Sequence, residues 1–447
     1  MANEQGVLIV WFRNDLRLHD QPALAHAIAR CQQDGLALLP VAWHGPSAPV
    51  ATRWGFARVG AHRQAFRAQA LAGLAQGLRT LGRDLLVLGG ASPQPLIDLA
   101  RRVGAVGLVG EAIHAPEEQA EVAALRAQGL VVDTVEQGGL FDAHQLPWAP
   151  EAVPNVFTAF RQGVERIGLQ ATAPLPAPQT LPPWPAEVAR PLAPAAAREC
   201  LPGPADERSS FPYGLPAWRG DEAGALAHLQ AYLASGRPHT YKATRNALTG
   251  RDFASHWSPW LANGALSVRR AVAELNAFEA ERGASDGSYW LWFELLWREH
   301  FRWMLRRHGA ALFRPHGLLP SAPHAAHNAE AFARWCEGRT GLDLVDAAMR
   351  ELRHTGYLSN RLRQIVASAL IHEGRGDWRA GAAWFERCLI DFDVHSNQGN
   401  WAYIAGVGTD PCGGRRFNLD KQTREHDPDG VYRRCWLDAG CSASSIG

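Results

Sequence analysis

The sequence predicts an α/β domain built on a doubly wound parallel sheet, then a long Pro-rich connector, then an all-α domain. Three observations carry that prediction. The first 135 residues alternate short apolar runs with helical stretches; 15 of the 29 prolines fall between residues 147 and 216; and from residue 221 apolar side chains recur at helical spacing almost to the end. The expected divisions are 1–135, 136–220 and 221–447. At roughly 150 residues per domain, 447 residues are enough for each part to bury its own core.

Residues 7–12 (VLIVWF) form a continuous apolar run, the pattern of a strand buried on both faces. Pro22 then opens a helical stretch, PALAHAIARC, where its missing N–H does no harm. LALLPVAW at 36–43, LLVLGG at 85–90 and VGLVG at 106–110 read as further strands, with Ala/Leu/Arg-rich helical stretches such as 61–81 between them. No GxGxxG follows a strand, so a dinucleotide-gripping turn is absent. The connector includes PLPAPQTLPPWP at 174–185, which cannot sustain a helix or a central strand. It is expected to run extended over the surface, with one short helix at 155–168. Beyond it, DEAGALAHLQAYLASG has an acidic first turn and a Gly just past its close. WLWFELLWREHFRWMLRR, LVDAAMRELRHTG, LSNRLRQIVASALIHEG and WRAGAAWFERCLIDF also read as helices.

Composition narrows the function classes. A net charge of +1 excludes a uniformly basic nucleic-acid sleeve but leaves room for a local basic patch. No apolar run approaches the roughly 18 residues needed to span a bilayer, and MANEQG puts no basic stretch before the first apolar run, against a secretory leader. Seven Cys without a CxxC pair fit reduced thiols in a cytoplasm. Cys336, Cys388, Cys412, Cys435 and Cys441 lack iron–sulfur spacing, and no metal site is expected. Lys242 and Lys421 are the only lysines, a bias better explained by an Arg-favouring genome than by phosphate-gripping forks. Eleven of 17 Trp lie from Trp257 onward, which points to a flat aromatic ligand or to electron transfer as well as to core filling.

Four stretches can carry chemistry. On a helix over Tyr289–Arg307, Trp290, Glu294, Trp297 and Phe301 share one stripe. A carboxylate there either pairs with an Arg or sits in an aromatic-walled pocket with its pKa raised. LSNRLRQ at 358–364 sets Asn360, Arg363 and Gln364 on one face with Arg361 turned aside, suited to an anionic or heteroaromatic ligand. DFDVHSNQGNW at 391–401 offers Asp391, Asp393, Asn397 and Trp401; it lacks the oxygen spacing of a calcium loop, so an Arg363–carboxylate pair beside a flat cofactor fits better. RDFASHWSPWLANG at 251–264 places Ser255 and Ser258 at a helix start, an ordinary cap or a phosphate site.

Together, VLIVWFRNDLRLHD (7–20), YKATRNALTGRDFASHWSPWLANGALS (241–267), ELLWREHFR (294–302), TGLDLVDAAMRELRHTGYLSNRLRQ (340–364) and DFDVHSNQGNWAYIAGVGTDP (391–411) resemble the photolyase–cryptochrome family, most closely its cryptochrome DASH branch. The resemblance implies a bent FAD in the helical domain. Tyr241, Ser255 and Ser258 would contact its phosphates, Arg363 and Asp391 would pair beside the isoalloxazine, Asp393 would accept from the ring, and Asn397 would sit near N5. Ala254 stands where the family usually has Ser or Thr, which removes one side-chain contact. Glu294, Trp297, Asn360 and Tyr403 would act on a cyclobutane pyrimidine dimer; Arg245, Arg361, Gln364 and Arg415 or Arg416 would bind DNA. Tyr403 and Gln364 replace the Trp and Met of ordinary dimer photolyases and are typical of the DASH branch. The implied activity is light-driven repair by electron transfer from excited FADH−, preferring single-stranded DNA, where no base extrusion has to be driven. The alternative is a blue-light receptor that binds FAD and DNA without efficient repair.

The same resemblance makes Trp401 and Trp378 the flavin-proximal and middle members of an electron chain. The usual distal position falls on Ala325, so either Trp335 or Trp384 takes over or photoreduction is inefficient. It also implies a 5,10-methenyltetrahydrofolate antenna between the domains, with Glu117 or Glu118 as its acidic contact. A monomer in the cytoplasm, acting on single-stranded or damaged DNA and away from membranes, is expected.

Overall fold

The computed structural model describes residues 5–43, 51–190, 205–320, 327–409 and 412–438. Its N-terminal part is a five-stranded parallel sheet in the order β3-β2-β1-β4-β5. The elements alternate: β1 (Val7–Phe12), α1 (Pro22–Asp34), β2 (Ala37–Trp43), α2 (Ala61–Thr80), β3 (Leu86–Leu88), α3 (Gln94–Arg102), β4 (Ala105–Glu111), α4 (Pro116–Ala127) and β5 (Val132–Val135). The apolar run of β1 serves two cores. Leu8, Val10 and Phe12 pack toward α1 and α2, while Val7, Ile9 and Trp11 pack toward α3 and α4. The edge strand β5 has no apolar run to announce it, because Asp133 and Thr134 interrupt its sequence.

The connector departs from the expectation of a surface strap. Residues 174–185 do run without helix or strand, and Leu38 N donates to Pro183 O at 2.9 Å. Yet α5 (Phe157–Arg166) and its flanks enter the core of the helical part: Leu140, Val153, Phe157, Phe160, Val164, Phe211 and Tyr213 are all buried there. The prolines break regular structure, but the large apolar side chains between them still gain from leaving water.

The helical part comprises α6 (Glu222–Ala234), α7 (Tyr241–Thr244), α8 (Ser258–Asn263), α9 (Val268–Arg282), α10 (Asp286–His308), α11 (Ala329–Glu337), α12 (Asp343–Thr355), α13 (Asn360–Ser368), α14 (Trp378–Cys388), α15 (Val394–Ile404), α16 (Leu419–His426) and α17 (Val431–Leu437) among the described residues. No described helix is long and apolar enough to cross a membrane. Buried polar contacts join the two halves: Arg269 pairs with Asp20 at 2.8 Å and Glu222 accepts from Leu18 N at 2.8 Å. Where α15 crosses α10, Gly399 allows the approach, since a Cβ there would stand 2.2 Å from the Phe301 ring.

Candidate active site

Helices α13 and α15 and the residues joining α14 to α15 line a cleft that includes Asn360, Arg363, Gln364, Asp391, Asp393 and Asn397. Ser359 caps α13 by accepting from Leu362 N, and Asp393 caps α15 by accepting from Ser396 N at 2.8 Å, so both helix starts are fixed at the cleft. Arg363 donates from Nη2 to Asp391 Oδ2 at 2.8 Å and from Nε to Leu358 O at 2.9 Å. Burial works against the Arg363 cation, but Asp391, helped by Tyr357 and Glu351, outweighs it and lifts its pKa. Ser258 Oγ donates to the same Asp391 oxygen at 2.7 Å. While on that carboxylate, the single Ser258 proton is not shared with a phosphate. The other oxygen, Asp391 Oδ1, is buried without a hydrogen-bond partner.

Asp393 is equally charged in character. Burial would raise its pKa, but His395 at 3.5 Å and Arg298 at 3.8 Å, with Ser396 N, hold it well below the usual carboxylate range. Asn397 Nδ2 donates to Ala382 O at 3.1 Å. Tyr241 is buried at the start of α7, and burial pushes its phenol well up. Ser255 is half-buried, its carbonyl hydrogen-bonded to His228 Nε2 at 2.9 Å.

On α10, both sequence readings of Glu294 hold at once. It pairs with Arg245, whose guanidinium lies 5.5 Å from the Trp290 ring centroid. Burial raises the Glu294 pKa, and Arg245 opposes that rise without cancelling it. Trp297, one turn on, meets Tyr403 at 5.5 Å and 77° and stacks on Phe157 at 3.8 Å and 14°. Tyr403 Oη accepts from Arg415 Nη2 at 2.7 Å, whereas Arg416 pairs with Glu373 at 2.9 Å on the surface. Arg361 donates to Gln364 Oε1 and to Asn246 Oδ1, each at 3.1 Å, while Asn360 is exposed. Phe157 escapes sequence reasoning because it sits in the connector, with no periodic relation to α10. Arg298 was adjacent to Trp297 in sequence, but only the fold reveals Asp393 as its partner.

Trp401 is 2% exposed, and its ring meets Phe385 at 5.1 Å and Trp335 at 6.2 Å. Gly381 leaves room for it, since a Cβ there would stand 2.2 Å from the indole. Trp378 is buried, with Nε1 donating to Pro315 O at 3.0 Å, and half-buried Trp384 meets Phe56 at 5.1 Å. Ala325 lies outside the described residues. At the start of α4, Glu117 pairs with Arg58, which also holds Glu386 of α14 at 2.6 Å. Glu118 is half-buried, and burial raises its pKa.

A family model described as DNA photolyase matches residues 8–179, and one described as the FAD binding domain of DNA photolyase matches residues 290–442. The cryptochrome DASH of Synechocystis sp. is 39% identical over 444 residues, spanning 98% of this chain and 88% of that one. That of Xenopus laevis is 36% identical over 446 residues, spanning 98% and 83%. Among solved structures, a Synechocystis cryptochrome matches with a TM-score of 0.88 at 37% identity, over 100% of this chain and 92% of that one. A class III photolyase from Agrobacterium tumefaciens matches at 0.77 and 28% identity, over 98% and 87%.

Proposed function

Because the chain belongs to the photolyase–cryptochrome family, and within it to the cryptochrome DASH branch, we propose that it binds damaged DNA and splits cyclobutane pyrimidine dimers under blue light, preferring single strands. FAD, when bound, supplies the light absorption and the electron. The observation that carries the reading is the buried Arg363–Asp391 pair with one carboxylate oxygen left unpartnered in the cleft. That set fits a flavin: an acceptor without a donor, beside a fixed positive charge.

The assigned roles follow from what each side chain can do. Arg363 holds positive charge beside the ring; Asp391 and Asp393 accept from it, and Asn397 lies along the same wall. Tyr241, Ser255 and Ser258 are assigned to the phosphate end, Ser258 through its hydroxyl proton once that proton turns from Asp391 to a phosphate oxygen. Glu294, its pKa raised by burial, is the group assigned to hydrogen-bond a dimer carbonyl as negative charge develops there. Asn360 assists, Trp297 and Tyr403 flank the bases, and Gln364 adds a polar contact. Arg245, Arg361, Arg415 and Arg416 neutralise phosphates, which raises the salt sensitivity of binding.

Trp401 is assigned to electron delivery toward the cofactor, with Trp378 behind it; Trp335, in ring contact with Trp401, and half-buried Trp384 are the two candidates for the substitute relay. A methenyltetrahydrofolate antenna is assigned to the interdomain groove beside Glu118, because Glu117 is committed to Arg58. A cytoplasmic monomer is consistent with Cys31, Cys336 and Cys388 being free thiols. One observation favours the receptor reading instead: Glu294 is already held by Arg245. Illuminating the reduced flavoprotein with dimer-bearing oligothymidylate, single-stranded and duplex, separates the two. Repair predicts light-dependent dimer loss, faster on the single strand; no loss on either leaves the receptor reading.

A further inference from the structure

One aromatic support of α10 comes from neither half of the chain. Phe157, the first residue of α5 in the connector, lies flat against Trp297 with ring centroids 3.8 Å apart and planes 14° apart. Phe157 is 5% exposed, while Trp297 is half-buried and also touches Tyr403. We infer that Phe157 positions Trp297 for substrate and restricts that ring to one-sided stacking of a pyrimidine. This rests on the repair reading and deepens it.

A base stacks on an indole only through a free face. Phe157 occupies one face of Trp297 at van der Waals distance, and Phe301 and Tyr403 meet the ring at 39° and 77°, so an incoming pyrimidine is left with what remains of the opposite face between them. The placement of Phe157 is set by the residues just before it. Val153 O accepts from Arg307, Pro154 O accepts from His300 Nε2 at 3.0 Å, and Asn155 Oδ1 accepts from His308 Nε2 at 2.7 Å. All three donors belong to α10, the helix that carries Glu294 and Trp297. The connector is therefore clamped to α10 by contacts that do not involve the Phe157 ring. Replacing that ring changes the support of Trp297 while leaving the clamp in place.

The test uses the flavin-loaded full chain and a labelled oligothymidylate carrying one cyclobutane dimer, with the undamaged strand as reference. Phe157→Leu keeps an apolar side chain and removes the flat face. It is expected to weaken binding of the dimer strand about three- to tenfold, the range of one lost aromatic pair, while the undamaged strand changes by less than about twofold. Phe157→Tyr should restore dimer binding, with flavin content unchanged throughout. Unchanged dimer binding in Phe157→Leu overturns the inference, as does an equal weakening on both strands accompanied by a fall in melting temperature, which marks a core filler. A wild-type chain that does not distinguish the two strands defeats the repair reading itself, before any variant is considered.

Discussion

The two sides of the cleft hold their charges differently. On the cofactor side, the Asp391 side chain is 0% exposed and is gripped by Ser258 and by Arg363, itself 23% exposed. On the substrate side, the Glu294 and Arg245 side chains are 28% and 19% exposed and are paired with each other. Breaking a pair whose carboxylate is fully buried is costly, because that group has no access to water, whereas a pair with both members partly exposed can exchange partners with little net change. The cofactor side is thus a permanent fixture. The other side is a pair of polar groups that satisfy one another; on the repair proposal, Arg245 would be freed for a phosphate when Glu294 turns to a base.

The comparison breaks most visibly at Asp391. Asp391→Ala leaves the half-buried Arg363 cation without its carboxylate and is expected to cost about 1–3 kcal/mol of stability and most of the bound flavin. Thermal melting and the visible spectrum of the purified protein measure both; a yellow, stable variant would mean that the pair is not the fixture described. Glu294→Ala should do the opposite. It is expected to lower dimer splitting about tenfold or more, the worth of one hydrogen bond to a charged group, with the flavin spectrum unchanged. Loss of flavin in this variant would erase the distinction between the sides.

A smaller effect sharpens the cofactor side through pH. Glu351 on α12 lies near enough to Arg363 to lift its pKa, and accepts from Tyr432 Oη at 2.6 Å. Burial pushes the Glu351 carboxyl up to about 8 from the ordinary 4.5, against the opposing hydrogen bond from Tyr432. The folded protein therefore keeps a proton that the unfolded chain releases. That contribution is complete below about 4.5 and is lost as pH rises toward about 8, at no more than about 1.4 kcal/mol per pH unit. Glu351→Gln should flatten the fall in melting temperature across this window. A wild-type profile already flat there would show that Glu351 does not hold its proton.

The parts of this arrangement that were legible in the sequence are those that depend on local pattern. VLIVWF reads as a doubly buried strand because both faces of β1 are covered, and an Arg363–carboxylate pair reads from the acids of DFDVHSNQGNW, with Asp391 as the partner implied by the family resemblance. The parts that were not legible depend on which distant side chain arrives. Ser258 reads as a cap or a phosphate contact, and no local pattern shows its bond to Asp391, 133 residues away. Phe157 lies among prolines that argue for surface, and only the fold brings it to Trp297. Relay order is similarly tertiary: Trp335 and Trp401 touch through packing that no spacing encodes.

The contrast between fixture and exchangeable pair can be seen directly in a crystal structure of the FAD-loaded protein with a dimer-bearing oligothymidylate. The account predicts Arg363 still on Asp391, flavin against that pair, and Glu294 moved from Arg245 to a dimer carbonyl. Flavin seated away from Arg363 and Asp391, or a bound dimer with Glu294 still on Arg245, would contradict it.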